Sequence, residues 1–264
     1  MRHAMRHAMR HVMRHAMRHV SAWALLIGLL PLLQGCDAPY EKKNGAWQYD
    51  GQPIRVNQVA AFKPLKGPFA KSPEGGYYRG SLIHDSDGAS FEALDEHYAR
   101  DKAHAYYCDT YRKGQEYYTV KYNRIDVLKS ADAASFRIIK DGYARDAKQL
   151  FYTGARVAVK DLDSFEVLDH DYTKDKRVGY YRRTPVAGSD GASFTVLNAS
   201  YAKDKSFVFY SFVERGEPNV PGVPRSVRVV GADPATFELL PTADGDPDAK
   251  DARGRYQQGK RLPN

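Results

Sequence analysis

Cysteine is nearly missing: the 264 residues hold two, Cys36 and Cys108. That excludes a disulfide-built scaffold and a cysteine-rich zinc module. The recognisable chemical motifs are missing as well. There is no Gly-rich phosphate loop, no serine nucleophile elbow, no His-Glu zinc helix and no basic aromatic RNA motif. No amphipathic stretch of about twelve residues or more stands out as a helix in residues 58–256. A mean hydropathy of −0.61 excludes a polytopic membrane protein. Aromatic residues, by contrast, are plentiful at 12%, with 19 Tyr. Disordered chains are aromatic-poor, so this composition belongs to a folded protein.

The basic charge is unevenly placed. The formal net charge of +8 and pI near 9.3 suggest an anionic partner. Residues 1–35, however, contain five Arg and no Lys or acid, so from Cys36 onward 35 basic residues face 32 acidic ones, a net charge of +3. The balance no longer points to nucleic acid. Residues 1–20 are five copies of Met-Arg-His-Ala/Val and hold every Met in the chain, each a candidate translation start. A period of 4 places His3, His7, His11, His15 and His19 on one helical face, but this segment is expected to be removed, and no metal site is assigned to it. An apolar run from Val20 to Leu33 follows, too short for a comfortable membrane span and interrupted by Pro31.

That run ends in Leu33-Gln34-Gly35-Cys36, which resembles the lipobox of bacterial lipoproteins, although Gln34 is an unusual occupant. The resemblance implies a signal peptide over 1–35, cleavage before Cys36, a diacylglycerol on its sulfur and a third acyl chain on its amine. Two or more acyl chains anchor stably, at about 0.8 kcal/mol per buried methylene. It further implies an envelope protein facing the periplasm, with the lipid bilayer as partner. Asp37 resembles the inner-membrane retention signal of enteric bacteria, but other lineages read other positions, so either membrane fits. Residues 36–57 are expected to be a linker.

The remainder is one repeated unit. Phe62, Phe91, Phe136, Phe165, Phe194 and Phe237 are separated by 29, 45, 29, 29 and 43 residues. An aliphatic residue follows each by three positions. Tyr98, Tyr143, Tyr172 and Tyr201, with Phe69, follow by seven. Asp101, Asp146, Asp175 and Asp204 follow by ten, and Tyr78, Tyr107, Tyr152, Tyr181 and Tyr210 by sixteen. Asp87, Asp132, Asp161, Asp190 and Asp233 stand four before the Phe. The first copy has Gln58, Ser72 and Pro73 where others carry Asp, Asp and usually Lys; the last drifts after Leu240, leaving Tyr256 out of phase. Atypical ends suit a repeat array, whose end units face water.

Asp-x-x-Ser/Thr reads as a side-chain-capped turn, with the Phe opening a short strand and the Asp-Lys pair turning a hairpin. The expected fold is mainly β, an array of six imperfect hairpin repeats of about 29 residues over 58–256, with 257–264 a polar tail. A β-solenoid-like stack is preferred to a propeller-like ring, since 29 residues is short for a blade of about 40–45. The longer connectors Cys108–Ala131 and Ser211–Gly231 read as added strands, one at Tyr117–Val120 and one at Ser226–Val230. Tyr201-Ala202-Lys203-Asp204-Lys205 followed by Phe209-Tyr210 resembles the DKNYY family of bacterial exported proteins. That resemblance covers roughly residues 61–256 and implies no activity, cofactor or catalytic residue.

Three groups of residues are candidates for chemistry. The Asp series, one per unit, either lines a groove or caps its own turns; capping is favoured, because catalysis rarely needs four equivalent acids. Tyr107, Tyr152, Tyr181 and Tyr210 either stack on sugar rings or form a cross-strand ladder. Cys108 has no base nominated by spacing and reads as a free, semi-buried thiol. Asp244-Gly245-Asp246-Pro247-Asp248 lacks the spacing of a calcium loop. No metal, cofactor or catalytic residue is assigned. The function expected is a non-catalytic binding or display scaffold, with an envelope protein or polysaccharide as partner. An enzyme or inhibitor acting on cell-wall glycan, or a structural spacer, is the alternative.

Overall fold

The computed structural model describes residues 39–218, 220–241 and 246–263. Cys36 and the expected signal peptide lie outside the described residues, as do residues 242–245 of the Asp-rich stretch. Seven small antiparallel sheets follow one another along the chain. The first has three strands, Tyr40–Lys43, Ala46–Tyr49 and Gln52–Pro53. Each of the other six is a four-stranded meander that follows one of the six repeat phenylalanines. The mainly β repeat array is therefore as the spacing predicts, and the sheets form no closed barrel.

The fifth sheet shows the unit most plainly. Glu166–Val167, Tyr172–Lys174, Gly179–Tyr181 and Thr184–Pro185 pair in sequence order, with Tyr172 opposite Tyr181 and Thr173 opposite Tyr180. The outer strands are two residues long, which is how four strands fit a 29-residue period. The repeat Phe lies just before the first strand rather than in it. The connection between strands three and four is a two-residue turn with positive φ at both positions, as at Thr153-Gly154 and Gln258-Gly259. That geometry matches the twist of the flanking strands.

Pleating explains the paired aromatics. Successive side chains point to opposite faces, so Tyr106 and Tyr107 serve different neighbours. Tyr106 and Ala99 pack with Phe69 and Tyr78 of the preceding unit and with Phe91, which opens their own, whereas Tyr98 and Tyr107 pack with Phe136, Ala144 and Phe151 of the following one. Both faces of such a sheet are buried. Each repeat Phe except Phe165 is buried in the gap between two sheets, and burying it contributes about 1.5–3 kcal/mol. Hydrophobic clusters of this kind join sheets one and two, two and three, three and four, five and six, and six and seven.

Three expectations need correction. Residues 40–53 of the supposed linker form the first sheet, where Tyr40 and Tyr49 pack against Phe62 and Tyr77. The supposed polar tail supplies the end of one strand and the last strand, Lys260–Arg261. In the third sheet the added strand is Tyr122–Val127, paired with Ala105–Tyr111. Tyr117–Val120 lies instead in the connection, just after the short 3-10 turn Gly114–Glu116. The matching extension in the sixth sheet pairs Val208–Glu214 with Val223–Arg228.

Candidate functional site

The repeated aspartates face inward. Asp101, Asp146, Asp175 and Asp204 are buried. One carboxylate oxygen of each accepts two backbone N–H groups of its own hairpin turn: Ala103 and His104, Lys148 and Gln149, Arg177 and Val178, Ser206 and Phe207, at 2.6–3.0 Å. The other oxygen accepts the backbone N–H of Asp87, Asp132, Asp161 or Asp190, fourteen residues earlier, at 2.7–2.9 Å. Where the residue five positions on is Tyr, its hydroxyl donates to the same oxygen: Tyr106 to Asp101 and Tyr180 to Asp175, both 2.7 Å. Burial alone would raise the pKa values of Asp101 and Asp175; the tyrosine hydroxyl and the converging N–H groups outweigh it and hold both below the usual value.

A second set of bonds ties the same two turns together. The side chain of Asp161 accepts from the hydroxyl of Ser164, that hydroxyl accepts the N–H of Lys176, and the Lys176 ammonium returns to Asp161 at 2.8 Å. Asp87, Ser90 and Lys102 repeat the arrangement, as do Asp190, Ser193 and Lys205. In the fourth sheet Ser135 and Ala147 keep its backbone half beside Asp132. Lys176 first, then Ser164, holds the Asp161 carboxyl down to about 2. Each Asp-Lys pair is thus a latch that fastens a hairpin to the turn beginning its own unit.

The two degraded copies keep the latch by other means. In the second sheet Ser72 stands at the aspartate position, and Glu74 supplies the missing carboxylate, accepting from the Asn57 N–H and the Tyr77 hydroxyl at 3.1 and 3.2 Å. In the seventh sheet Asp251 takes the part: it accepts from Arg253, Gly254, Asp233 and Tyr256. Sequence reasoning missed Asp251 because the insertion 240–248 sits between the first two strands and breaks the count from Phe237. The Asp-to-Tyr spacing of five, shared with Asp101–Tyr106 and Asp175–Tyr180, is the signal that finds it.

A basic residue also stands just before the inward position, Ser72 in the second sheet and aspartate in the third to sixth. Lys71, Arg100, Lys174 and Lys203 reach into the next unit and donate to backbone carbonyls of its opening turn, among them those of Phe91, Phe136, Phe194 and Pro234. Arg145 does the same to Leu162 and adds Asp163. The latch holds a unit together; this cation holds the next one in place.

The tyrosines expected to stack on a ligand do not present free faces. Tyr107 and Tyr181 are buried, and Tyr152 and Tyr210 are half-buried. Tyr107, Tyr152, Tyr181 and Tyr210 pair with Tyr98, Tyr143, Tyr172 and Tyr201 of their own sheets, with ring centroids 4.7–5.1 Å apart. Gly154 and Gly259 of the following sheets press on Tyr107 and Tyr210, leaving no room for a Cβ. The ladder is a packing device, because each ring must close the space between successive sheets. Cys108 lies buried in the cluster between sheets two and three, and burial pushes its thiol well above the ordinary value.

The stack loosens between the fourth and fifth sheets. Phe165 is partly exposed, whereas the other repeat phenylalanines are buried; it keeps a ring contact with Tyr143 at 5.4 Å. A cavity of about 230 Å³ lies there, lined by Asp141, Asp169, His170, Asp171, Tyr152 and Arg183 among others. Arg183 occupies the turn position where Gly154 and Gly259 stand elsewhere, holds φ at 70°, and lays its guanidinium over Tyr152 at 4.3 Å. His170 and Asp171 also have positive φ. Such conformations cost a non-glycine residue about 1 kcal/mol or more and gather at functional sites. Burial raises the Tyr143 hydroxyl, and Arg183 beside it offsets part of the effect. The lining is mixed in charge, with Asp141, Asp169 and Asp171 beside Arg183 and with the Tyr152 ring held between Arg183 and Tyr143. Among the described residues, no group of three or more His, Cys, Asp or Glu is arranged to hold a metal ion.

No curated protein and no solved structure matches the chain. The model of the DKNYY family matches residues 33–110 and 108–184. The two matches begin 75 residues apart, nearly the 74 that separate Phe62 from Phe136. They span more than half of the chain; beyond them the Asp-Lys latch recurs in the sixth sheet, and the seventh keeps the inward aspartate and the hydroxyl of Thr236. The chain belongs to the DKNYY family.

Proposed function

We propose that this protein is a lipid-anchored component of the bacterial cell envelope whose repeat array binds or displays rather than catalyses. The observation that carries this reading is the engagement of the repeated acids. The inward aspartates of the third to seventh sheets each accept three or more hydrogen bonds from their own unit, which leaves none poised as a general acid or base. The cleft beside Arg183 and Asp171 is the binding element of the proposal, and an envelope polysaccharide is its ligand class. The Leu33–Cys36 lipobox supports the anchor, with the acylated Cys36 in the bilayer and the array in the periplasm.

The binding test compares the native protein with Arg183→Ala and Asp171→Asn variants in pull-downs with purified peptidoglycan and envelope polysaccharide. Capture that weakens at least tenfold in folded variants supports the reading; capture unchanged by both, or no capture by the native protein, overturns it. Turnover of muropeptides, lost on changing one Asp but not its equivalents, would establish the enzyme instead. Mass spectrometry of the native protein decides the anchor, which requires an N-terminal acylated Cys36.

A further inference from the structure

We infer that the extended hairpin of the third sheet is a second membrane contact, docking on anionic lipid headgroups of the bilayer that holds the anchor. The inference rests on the lipid-anchor reading for which bilayer is meant, and on the hairpin's chemistry for the contact itself. Ala105–Tyr111 and Tyr122–Val127 are longer than the matching strands of the second and fourth sheets. At the tip, Tyr118 is 89% exposed, Tyr117 52% and Tyr111 44%. Tyr111 stacks on Tyr122 at 5.5 Å, and Tyr117 meets Tyr118 edge-on at 5.3 Å. Arg112, Lys113 and Lys121 stand among these rings, with Lys113 4.4 Å above Tyr122. Glu116 is the one acid in this stretch, and it accepts the Tyr122 hydroxyl.

Exposed tyrosines interleaved with Lys and Arg match the membrane–water interface. Amphipathic rings settle at headgroup depth, and cations near an anionic surface are each favoured by roughly fivefold in partition. The hairpin also lies at the correct end of the array. Asn123 donates to the Tyr78 carbonyl and the Ser81 hydroxyl of the second sheet. Lys121 and Asn123 then share a cavity of about 470 Å³ with Tyr49, Asp50 and Ile54 of the first sheet and its following segment. The hairpin therefore leans back to the sheet that begins four residues after Cys36, an extended reach of at most about 14 Å from an acylated cysteine. The equivalent hairpin of the sixth sheet is a built-in contrast. Its end carries Val220 and Val223, no tyrosine, and Glu214 and Glu217 against Arg215.

The test uses the full mature protein in vesicles, with an environment-sensitive fluorophore on a Tyr118→Cys variant and, separately, on Val220→Cys. In vesicles containing phosphatidylglycerol, the probe at 118 should shift to the blue and be quenched by headgroup-depth spin labels at least several-fold more than the probe at 220. Purely zwitterionic vesicles, 0.5 M salt, or the added substitutions Arg112→Glu, Lys113→Glu and Lys121→Glu should each abolish the difference. A water-like probe at 118 on an acylated chain overturns the inference while leaving the anchor intact. Protection at 118 that follows protein concentration and ignores lipid also overturns it, assigning the tip to a second copy of the chain. Mass spectrometry on the same sample reports acylation. An unmodified chain refutes the anchor alone, and its probe response to added vesicles still decides whether the hairpin binds lipid.

Discussion

The Tyr180 hydroxyl donates to the Asp175 carboxylate across 2.7 Å, and both groups are buried. The same carboxylate receives the N–H groups of Lys160, Asp161, Arg177 and Val178. Bonds to a charged acceptor contribute about 1.5–3 kcal/mol each, and orphaned buried donors cost about 1–3 kcal/mol. Asp175→Ala should therefore lower stability by about 3–4 kcal/mol, read as a shift in the urea midpoint. Asp163→Asn, which removes an exposed partner of Arg145, should change it by less than about 0.5 kcal/mol.

Gly154 is required twice over. Its φ is +80°, and a Cβ there would lie 2.7 Å from the Tyr107 ring while its N–H is bonded to the Tyr98 hydroxyl at 3.0 Å. Gly154→Ala should cost about 2 kcal/mol or more, combining left-handed backbone strain with a displaced ring. Gly45, which also has positive φ but meets no atom within 4 Å, should lose only about 1 kcal/mol on the same change. Thermal unfolding of the two variants separates strain from crowding.

The joint between the fourth and fifth sheets should be the first to open. Phe194→Ala should cost about 3–5 kcal/mol, as for a fully buried ring, and Phe165→Ala about half as much. Native-state hydrogen exchange should show the amides beside the Arg183 cleft opening at lower free energy than those flanking Phe91 or Phe194.

Alkali should unfold the array through its tyrosines. Burial, ahead of the partly offsetting Gly154 N–H, raises the Tyr98 hydroxyl from about 10 to about 12, and burial with the Asp251 contact raises Tyr256 to about 12. The folded state thus keeps protons that the unfolded chain releases. Their stabilisation is complete below pH 10 and is lost as the pH rises toward 12. Circular dichroism melts at pH 8 and pH 11 should differ by well over 10 °C, with tyrosinate absorbance appearing together with unfolding.

Much of this architecture is legible in the residues. Six phenylalanines mark six sheets, and an aspartate ten residues on marks the hairpin turn in the four best-preserved units, because both recur at fixed spacing and act locally. The doubled tyrosine shows its meaning only in three dimensions, where Tyr106 and Tyr107 bury opposite faces. Strands of two residues, such as Glu166–Val167, are too short to leave a periodic signal. The first sheet lacks the Phe and Asp markers, so Tyr40–Pro53 reads as a linker. Glu74 and Asp251 escape a fixed-spacing search because one acts from a shifted position and the other follows an insertion. The cleft beside Arg183 is invisible in sequence, since it arises from a missing contact rather than from a motif.

The repeated aspartates are structural acceptors. Carboxyl-carbon NMR titration of the aspartate-labelled protein reads this directly. Asp101, Asp175 and Asp251 should each titrate below the ordinary aspartate value near 3.9, and the stability they contribute should be present above about pH 4 and disappear as the pH falls below it. A carboxyl among them that titrates above about pH 5, in a protein that stays folded throughout, would mark a poised acid and contradict the account.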